Sequence, residues 1–279
     1  MLMGEWSVLA GYNCVVTTVE RGVTVSVEPS ENFCDEHGSF AREAIQVVLR
    51  HLRALGYEIV PFKISINSTI SPELGLGSSS AVVVAIVRAI FLFYGLDVQD
   101  KVVFELSFSA HYKVQGNIGS GYDVAAAVYG GPILYRLSNE ISRVIKKITL
   151  PKNLRILVGS VGKGANTRKL VERVCYKPYA KELASCTEDF LCAIESSDEE
   201  AVLASVKRSR HELKKLGDLS GVELETPELK ILCDIAQSCG GAAKFSGAGG
   251  GDCGVAFCFD REVEQAIVSE WERSGIVTV

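Results

Sequence analysis

The chain has 279 residues, a formal net charge of −5, and 47% of its residues in the apolar set AVILMFWYC. That apolar content excludes a disordered chain and can fill one large or two small domains. The acidic balance argues against a nucleic-acid partner, whose phosphate backbone needs basic surface. The longest apolar stretch, Ala81–Leu96, has sixteen residues and carries Arg88 inside. A membrane span needs about 20 apolar residues, so a buried helix is expected there and no membrane association. The opening MLMGEWSVLAGYN has no basic leader ahead of an apolar core, which predicts a cytoplasmic location. Nine cysteines, at 14, 34, 175, 186, 192, 233, 239, 253 and 258, include no C-x-x-C pair. They are expected as small, buried, reduced thiols.

In chain order, Ser7–Val27 carries β-branched runs interrupted by Arg21-Gly22 and predicts a hairpin-like pair of strands. Ala41, Ile45, Val48, Leu49, Leu52 and Leu55 recur at helical spacing before Gly56, so Ser39–Leu55 is expected as a helix. Strand character returns over Glu58–Ser68. A helix follows the Gly75–Gly77 loop up to Tyr94-Gly95, and Asp100–Gln115 predicts another. After the turn at Gly116–Gly121 come a short helix at Asp123–Tyr129 and strands at Ile133–Leu137 and Arg143–Leu150. Pro151 is the expected boundary between two domains, 1–150 and 151–279. Beyond it the pattern predicts a strand at Arg155–Ser160, helices over 167–175, 180–195, 199–215 and 227–238, strands at Ala242–Phe245 and Cys253–Phe259, and a helix over 261–273. Strands and helices mix without strict alternation, which predicts an α+β fold.

Three glycine-rich loops carry the chemistry. The first is Pro72-Glu73-Leu74-Gly75-Leu76-Gly77-Ser78-Ser79-Ser80-Ala81. Glycines let the backbone approach a ligand, and three serines open a helix whose free N–H groups and dipole favour an anion. Phosphate binding at Gly75–Ser80 is the expectation. The loop lacks the Gly-Lys-Ser/Thr of a P-loop and has Ser80 where the dinucleotide fingerprint has glycine. The second loop, Gln115–Gly121, precedes Tyr122-Asp123 and a small-residue helix. Asp123 is either a general base for phosphoryl transfer or the cap of that helix. The third is Lys244-Phe245-Ser246-Gly247-Ala248-Gly249-Gly250-Gly251-Asp252-Cys253-Gly254. Its consecutive amides can bind an anion, or it is a tight structural turn in which Asp252 braces the loop.

Together with Gly4-Glu5-Trp6-Ser7-Val8-Leu9-Ala10-Gly11, the first and third loops give the motif order of the GHMP kinases, and the chain resembles that superfamily over nearly its whole length. It is most similar to the phosphomevalonate kinase branch in four stretches: Gln115–Ala127 with His111 upstream, Thr167–Val174, Ser209-Arg210 through Leu229, and Lys244–Gly254. The resemblance implies a two-lobed fold, with an N-terminal lobe like domain 2 of ribosomal protein S5 and a ferredoxin-like C-terminal lobe. It implies ATP on Gly75, Leu76, Gly77, Ser78, Ser79 and Ser80, with Mg²⁺ beside Ser79. Asp123 matches the catalytic aspartate. Glu5, Ser7, His111, Ser120, Ser246, Gly247, Ala248 and Gly249 are implied to meet the acceptor, 5-phosphomevalonate, in a monomer or homodimer.

Two positions depart from the family. The first-strand lysine that usually stands about five residues before the Gly-Glu pair has no counterpart. Either that strand is truncated in this sequence, or Lys113 or another cation partners Asp123. Tyr112 stands eleven residues before Asp123, where mevalonate kinases carry a Mg²⁺-binding glutamate. Lys163, Arg168 and Lys244 are further candidates for neutralising phosphate. The alternatives are another GHMP enzyme, such as mevalonate kinase or mevalonate diphosphate decarboxylase, and a nucleotide-binding protein without catalysis.

Overall fold

The computed structural model describes residues 1–33, 37–71, 74–137, 144–162, 164 and 167–279. By packing, the chain divides into two compact units. One comprises 18–72 and 76–130, the other 1–17, 73–75 and 131–279. The expected division at Pro151 follows chain order, whereas these units interleave along the chain.

The unit 18–72 and 76–130 holds an antiparallel pair, β2 (Val23–Pro29) and β3 (Phe62–Ser68), and four helices. These are α1 (Ser39–Ala54), α2 (Ser78–Phe93), α3 (Asp100–Val114) and α4 (Tyr122–Tyr129). Helix α1 forms where the apolar period predicts it, burying Ala44, Val48 and Leu52 completely. Helix α2 is apolar on most sides, and Val83, Ile86, Val87 and Ile90 are fully buried. Its internal Arg88 is satisfied without a membrane or a core charge: it reaches Asp100 Oδ1 at 2.7 Å and Val128 O at 2.9 Å. No helix among the described residues is long and apolar enough to cross a membrane.

The other unit holds β1 (Asn13–Val16), β4 (Ile133–Arg136) and β5 (Val144–Lys147) in one antiparallel sheet. A second sheet has the order β7-β8-β6-β9, from β6 (Arg155–Ser160), β7 (Ala242–Ser246), β8 (Cys253–Cys258) and β9 (Val277–Thr278). Helices α5 (Thr167–Arg173), α6 (Ala180–Ser196), α7 (Glu199–Ser220), α8 (Pro227–Ser238) and α9 (Arg261–Arg273) complete it. Phe190, Val202, Val206 and Phe257 form one core with Leu2, Met3 and Val15. Trp271 and Leu232 anchor another.

The α+β class is observed, and most elements fall within a few residues of expectation. The N-terminal hairpin does not form. Ser7–Ala10 is a 3-10 turn, entered through Trp6 at φ 63° and left through Gly11 at φ 84°, conformations no strand tolerates. Strand β1 pairs with β4 and β2 with β3, so Arg21-Gly22 joins strands of different sheets. The second correction concerns cysteine burial: all described cysteines are free thiols, but Cys175 and Cys192 are exposed. Cys34 lies outside the described residues, as do Pro72, Glu73, Arg143 and Lys163.

Candidate active site

The first glycine-rich loop ends as expected, at a helix N-terminus. Gly77 is left-handed, at φ 73°, and is the N-cap of α2. The first intrahelical donor is Ala81, whose N–H reaches Gly77 O at 3.0 Å. The N–H groups of Ser78, Ser79 and Ser80 therefore precede the helical ladder and carry the positive end of its dipole. Ser80 turns its hydroxyl back to Gly77 O at 2.8 Å and is buried, so it fixes the loop. Ser79 Oγ instead lies 3.0 Å from His111 Nε2. Upstream, Leu74 and Gly75 pack with the unit 1–17, 73–75 and 131–279. The Cys253 thiol donates to Leu74 O, and a Cβ on Gly75 would come within 2.4 Å of Asp252 Cβ. Burial pushes the Cys253 thiol up to about 12, so it keeps the proton it donates.

Asp123 lies in the first turn of α4. The N-cap is Gly121, at φ 80°, so the helix-cap alternative for Asp123 does not hold. Its Oδ1 accepts from Val124 N at 2.9 Å, and its side chain is 27% exposed. A Cβ on Gly77 would stand 3.8 Å from Asp123 Cβ, so the N-termini of α2 and α4 meet at these two residues. Asp123 Oδ2 is 3.8 Å from His111 Nε2, the same nitrogen that meets Ser79. His111 is 2% exposed, and its ring stacks on Phe40 with centroids 5.0 Å apart. Ser120 is buried beside this turn, at 4% exposure.

Lys113 is not the partner of Asp123. Residues two apart on a helix point about 200° apart, so α3 turns Lys113 away from the side on which His111 lies. Its Nζ donates to Glu43 Oε2 at 2.8 Å, and Arg50 reaches Glu43 Oε1 at 3.1 Å. Partial burial raises the Glu43 carboxyl, but the hydrogen bonds and charges of Lys113 and Arg50 outweigh it and hold it below the ordinary glutamate range. Sequence reasoning missed Glu43 and Phe40. The available signal was an acid on the buried face of α1, between Ala41 and Ala44.

In the other unit, Lys244 and Glu5 form an ion pair with both side chains 0% exposed, and Lys244 also donates to Phe245 O at 3.2 Å. Lys244 is thus spent on Glu5 and does not present a charge to a phosphate. Glu5 and Ser7 were expected at the acceptor, yet both are buried, and Ser7 Oγ donates to Gly4 O at 3.1 Å. Ser246 Oγ donates to Met1 O at 2.9 Å. Gly247, Gly249 and Gly250 are all left-handed. Gly249 packs on Leu224 O, which accepts from Gly250 N at 2.7 Å, so part of this loop is a structural turn. Ala248 packs at the edge of the Trp6–Phe245 cluster. Arg168 pairs with Glu172 at 3.2 Å on the surface of α5.

Among the described residues no group of three or more His, Cys, Asp or Glu side chains is arranged to hold a metal. The oxygen donors at the loop are Ser79 Oγ and the Asp123 carboxylate, at most 6.8 Å apart through His111 Nε2. That donor set fits Mg²⁺, a hard cation that keeps several waters and takes further oxygens from phosphates.

The chain is similar to known proteins in sequence and in fold. The family descriptions "GHMP kinases N terminal domain" and "GHMP kinases C terminal" match residues 39–131 and 193–277. The chain is 33% identical over 269 residues to a phosphomevalonate kinase of Streptomyces sp. (strain CL190), covering 84% of this chain and 71% of that one. It is 28% identical to a mevalonate kinase of Aeropyrum pernix, covering 99% and 91%. The phosphomevalonate kinase of Streptococcus pneumoniae, in complex with phosphomevalonate and AMPPNP, superposes with a TM-score of 0.90 at 23% identity, covering 100% and 95%.

Proposed function

From the chain's membership in the GHMP kinase family, we propose that this kinase transfers the γ-phosphoryl group of ATP to 5-phosphomevalonate. The meeting of Gly77 and Asp123 at two helix N-termini carries the phosphoryl-transfer reading. The choice of acceptor rests on the Streptomyces relative and on Tyr112 standing in place of a metal-binding glutamate.

In this reading Gly75–Ser80 cradle the ATP phosphates, and the amides of Ser78–Ser80 stabilise the charge that shifts toward the leaving ADP. An oxygen of the acceptor phosphate forms a bond to the γ-phosphorus while the bond from the γ-phosphorus to the β,γ-bridging oxygen breaks. The product is a diphosphate. An acceptor phosphate is largely ionised at neutral pH, so Asp123 has little proton to remove. Its role is to orient the acceptor and the metal, with the acceptor's oxygen aligned for in-line attack. Ser79 and Asp123 would hold Mg²⁺, which supplies charge neutralisation between the phosphates. The backbone of Ser246, Gly247, Ala248 and Gly249 supplies the proposed acceptor contacts. Lys244, at the foot of that loop, is held by Glu5.

A mevalonate kinase activity is the second reading, favoured by the near-complete coverage of the Aeropyrum relative. ADP release measured with mevalonate, 5-phosphomevalonate and 5-diphosphomevalonate in turn separates the two. The proposal expects release with 5-phosphomevalonate alone. A site built to pair a phosphate leaves its donors unsatisfied without one, a mismatch that can reach about 10⁴–10⁵ in specificity. Comparable release with mevalonate overturns the acceptor assignment.

A further inference from the structure

We propose that His111 is a positioning residue that acts through Ser79, holding the serine hydroxyl at the mouth of the phosphate loop, and that it does not touch the acceptor. The inference rests on the nucleotide half of the function proposed above. Three helices of the same unit each send one side chain to this imidazole, which α3 carries: Phe40 from α1, Ser79 from α2 and Asp123 from α4.

The contrast between neighbouring serines is the starting point. A serine in the first turn of a helix readily turns its hydroxyl onto nearby backbone. Ser80 does so, bonding Gly77 O at 2.8 Å. Ser79 is held by a side chain instead, 3.0 Å from Nε2 of His111. Serine has three staggered rotamers, and only a partner fixed in space selects one of them. His111 is fixed in that sense. It is 2% exposed, and Phe40 lies stacked at an interplanar angle of 30°.

The same burial argues against contact with the acceptor, since the ring has almost no accessible surface left. The 3.8 Å from Nε2 to Asp123 Oδ2 exceeds hydrogen-bonding distance, so Ser79 is the direct partner and Asp123 a charged neighbour. His111 thereby sets the spacing between the two oxygen-bearing side chains proposed to meet the nucleotide and its metal.

The test uses His111→Leu, His111→Asn, His111→Gln, Ser79→Ala and the Ser79→Ala/His111→Leu double variant. Titration calorimetry with Mg²⁺·AMPPNP and steady-state KM and kcat values are read for each. A glutamine amide reaches the position of Nε2, whereas an asparagine amide reaches only as far as Nδ1. The expectation is that His111→Leu and His111→Asn lose about 10–100-fold in AMPPNP affinity or kcat, the scale of a displaced catalytic contact. KM for 5-phosphomevalonate stays at the wild-type value. His111→Gln recovers most of the loss, and the double variant is no worse than the more damaged single one. If His111→Leu fails to fold, the asparagine–glutamine contrast carries the test. A raised acceptor KM with unchanged AMPPNP affinity overturns the inference, as do multiplying losses in the double variant or equal behaviour of asparagine and glutamine. AMPPNP binding needs no acceptor. A chain whose AMPPNP affinity depends on His111 but which ignores 5-phosphomevalonate overturns the acceptor assignment and leaves this inference standing. No AMPPNP binding by the wild-type chain overturns both.

Discussion

Lys244→Met separates a structural cation from a phosphate-binding one. In the structure Lys244 and Glu5 are both 0% exposed at their side chains, and Glu5 Oε2 has no partner among the described residues. Removing the ammonium leaves a buried carboxylate without its ion-pair partner. Breaking a buried pair this way costs about 3–5 kcal/mol, against a net stability of about 5–15 kcal/mol for a typical protein. For a unit of this size each kcal/mol moves Tm by about 2–4 °C, so a fall of about 6–20 °C is expected. The Glu5→Leu/Lys244→Met double variant, which removes both charges, should regain much of that loss. Thermal unfolding followed by circular dichroism provides the readout. A Lys244→Met protein with wild-type Tm and a raised KM for the acceptor would refute the argument and return Lys244 to the ligand.

Gly77→Val should abolish nucleotide use while leaving the fold. Gly77 sits at φ 73°, a β-branched residue is strained there, and the new side chain points toward Ser80 Oγ and Asp123. Wild-type AMPPNP affinity in the variant would contradict the loop assignment. Asp123→Asn should cut kcat severely, because the amide keeps the size and the Val124 N–H contact but loses the charge that orients the acceptor and the metal; unchanged turnover would reduce Asp123 to a structural role. Glu43 has a carboxyl pKa held below its ordinary value, so its contribution to stability is complete above the unfolded pKa of about 4.3 and is lost as pH falls through the lower folded value. Urea unfolding at a series of pH values should show Glu43→Gln less stable than wild type at neutral pH, with the difference shrinking below about pH 4. A difference that grows on acidification would be the wrong sign.

Local patterns made much of this protein legible. The apolar spacing from Ala41 to Leu52 specifies α1, and the Gly-x-Gly-Ser-Ser-Ser run specifies a loop opening α2. Asp123 could be singled out because it is an isolated carboxylate behind three glycines. Pairings between distant residues were not legible. Lys244 and Glu5 are 239 positions apart, and each sits in a motif that suggests a ligand contact; only burial shows that they satisfy each other. His111 and Lys113 are nearly adjacent in sequence, so their motif could not say which one faces Asp123. Helical geometry separates them, and the acid that takes Lys113 comes from α1. The Ser7–Ala10 turn was hidden by its β-branched neighbours, because the positive φ at Trp6 follows from the packed structure rather than from residue type.

The central claim is that the acceptor is itself a phosphate, and the bond in the product reports this directly. The chain is incubated with ATP, Mg²⁺ and equal amounts of mevalonate and 5-phosphomevalonate, and the products are followed by ³¹P nuclear magnetic resonance. Transfer to a phosphate oxygen creates a P–O–P linkage, seen as two new phosphorus signals coupled to each other in a species distinct from ATP and ADP. That pair should grow while mevalonate is left unchanged. Growth of the 5-phosphomevalonate phosphomonoester signal as mevalonate is consumed, without the coupled pair, would show an alcohol as the acceptor and contradict the account.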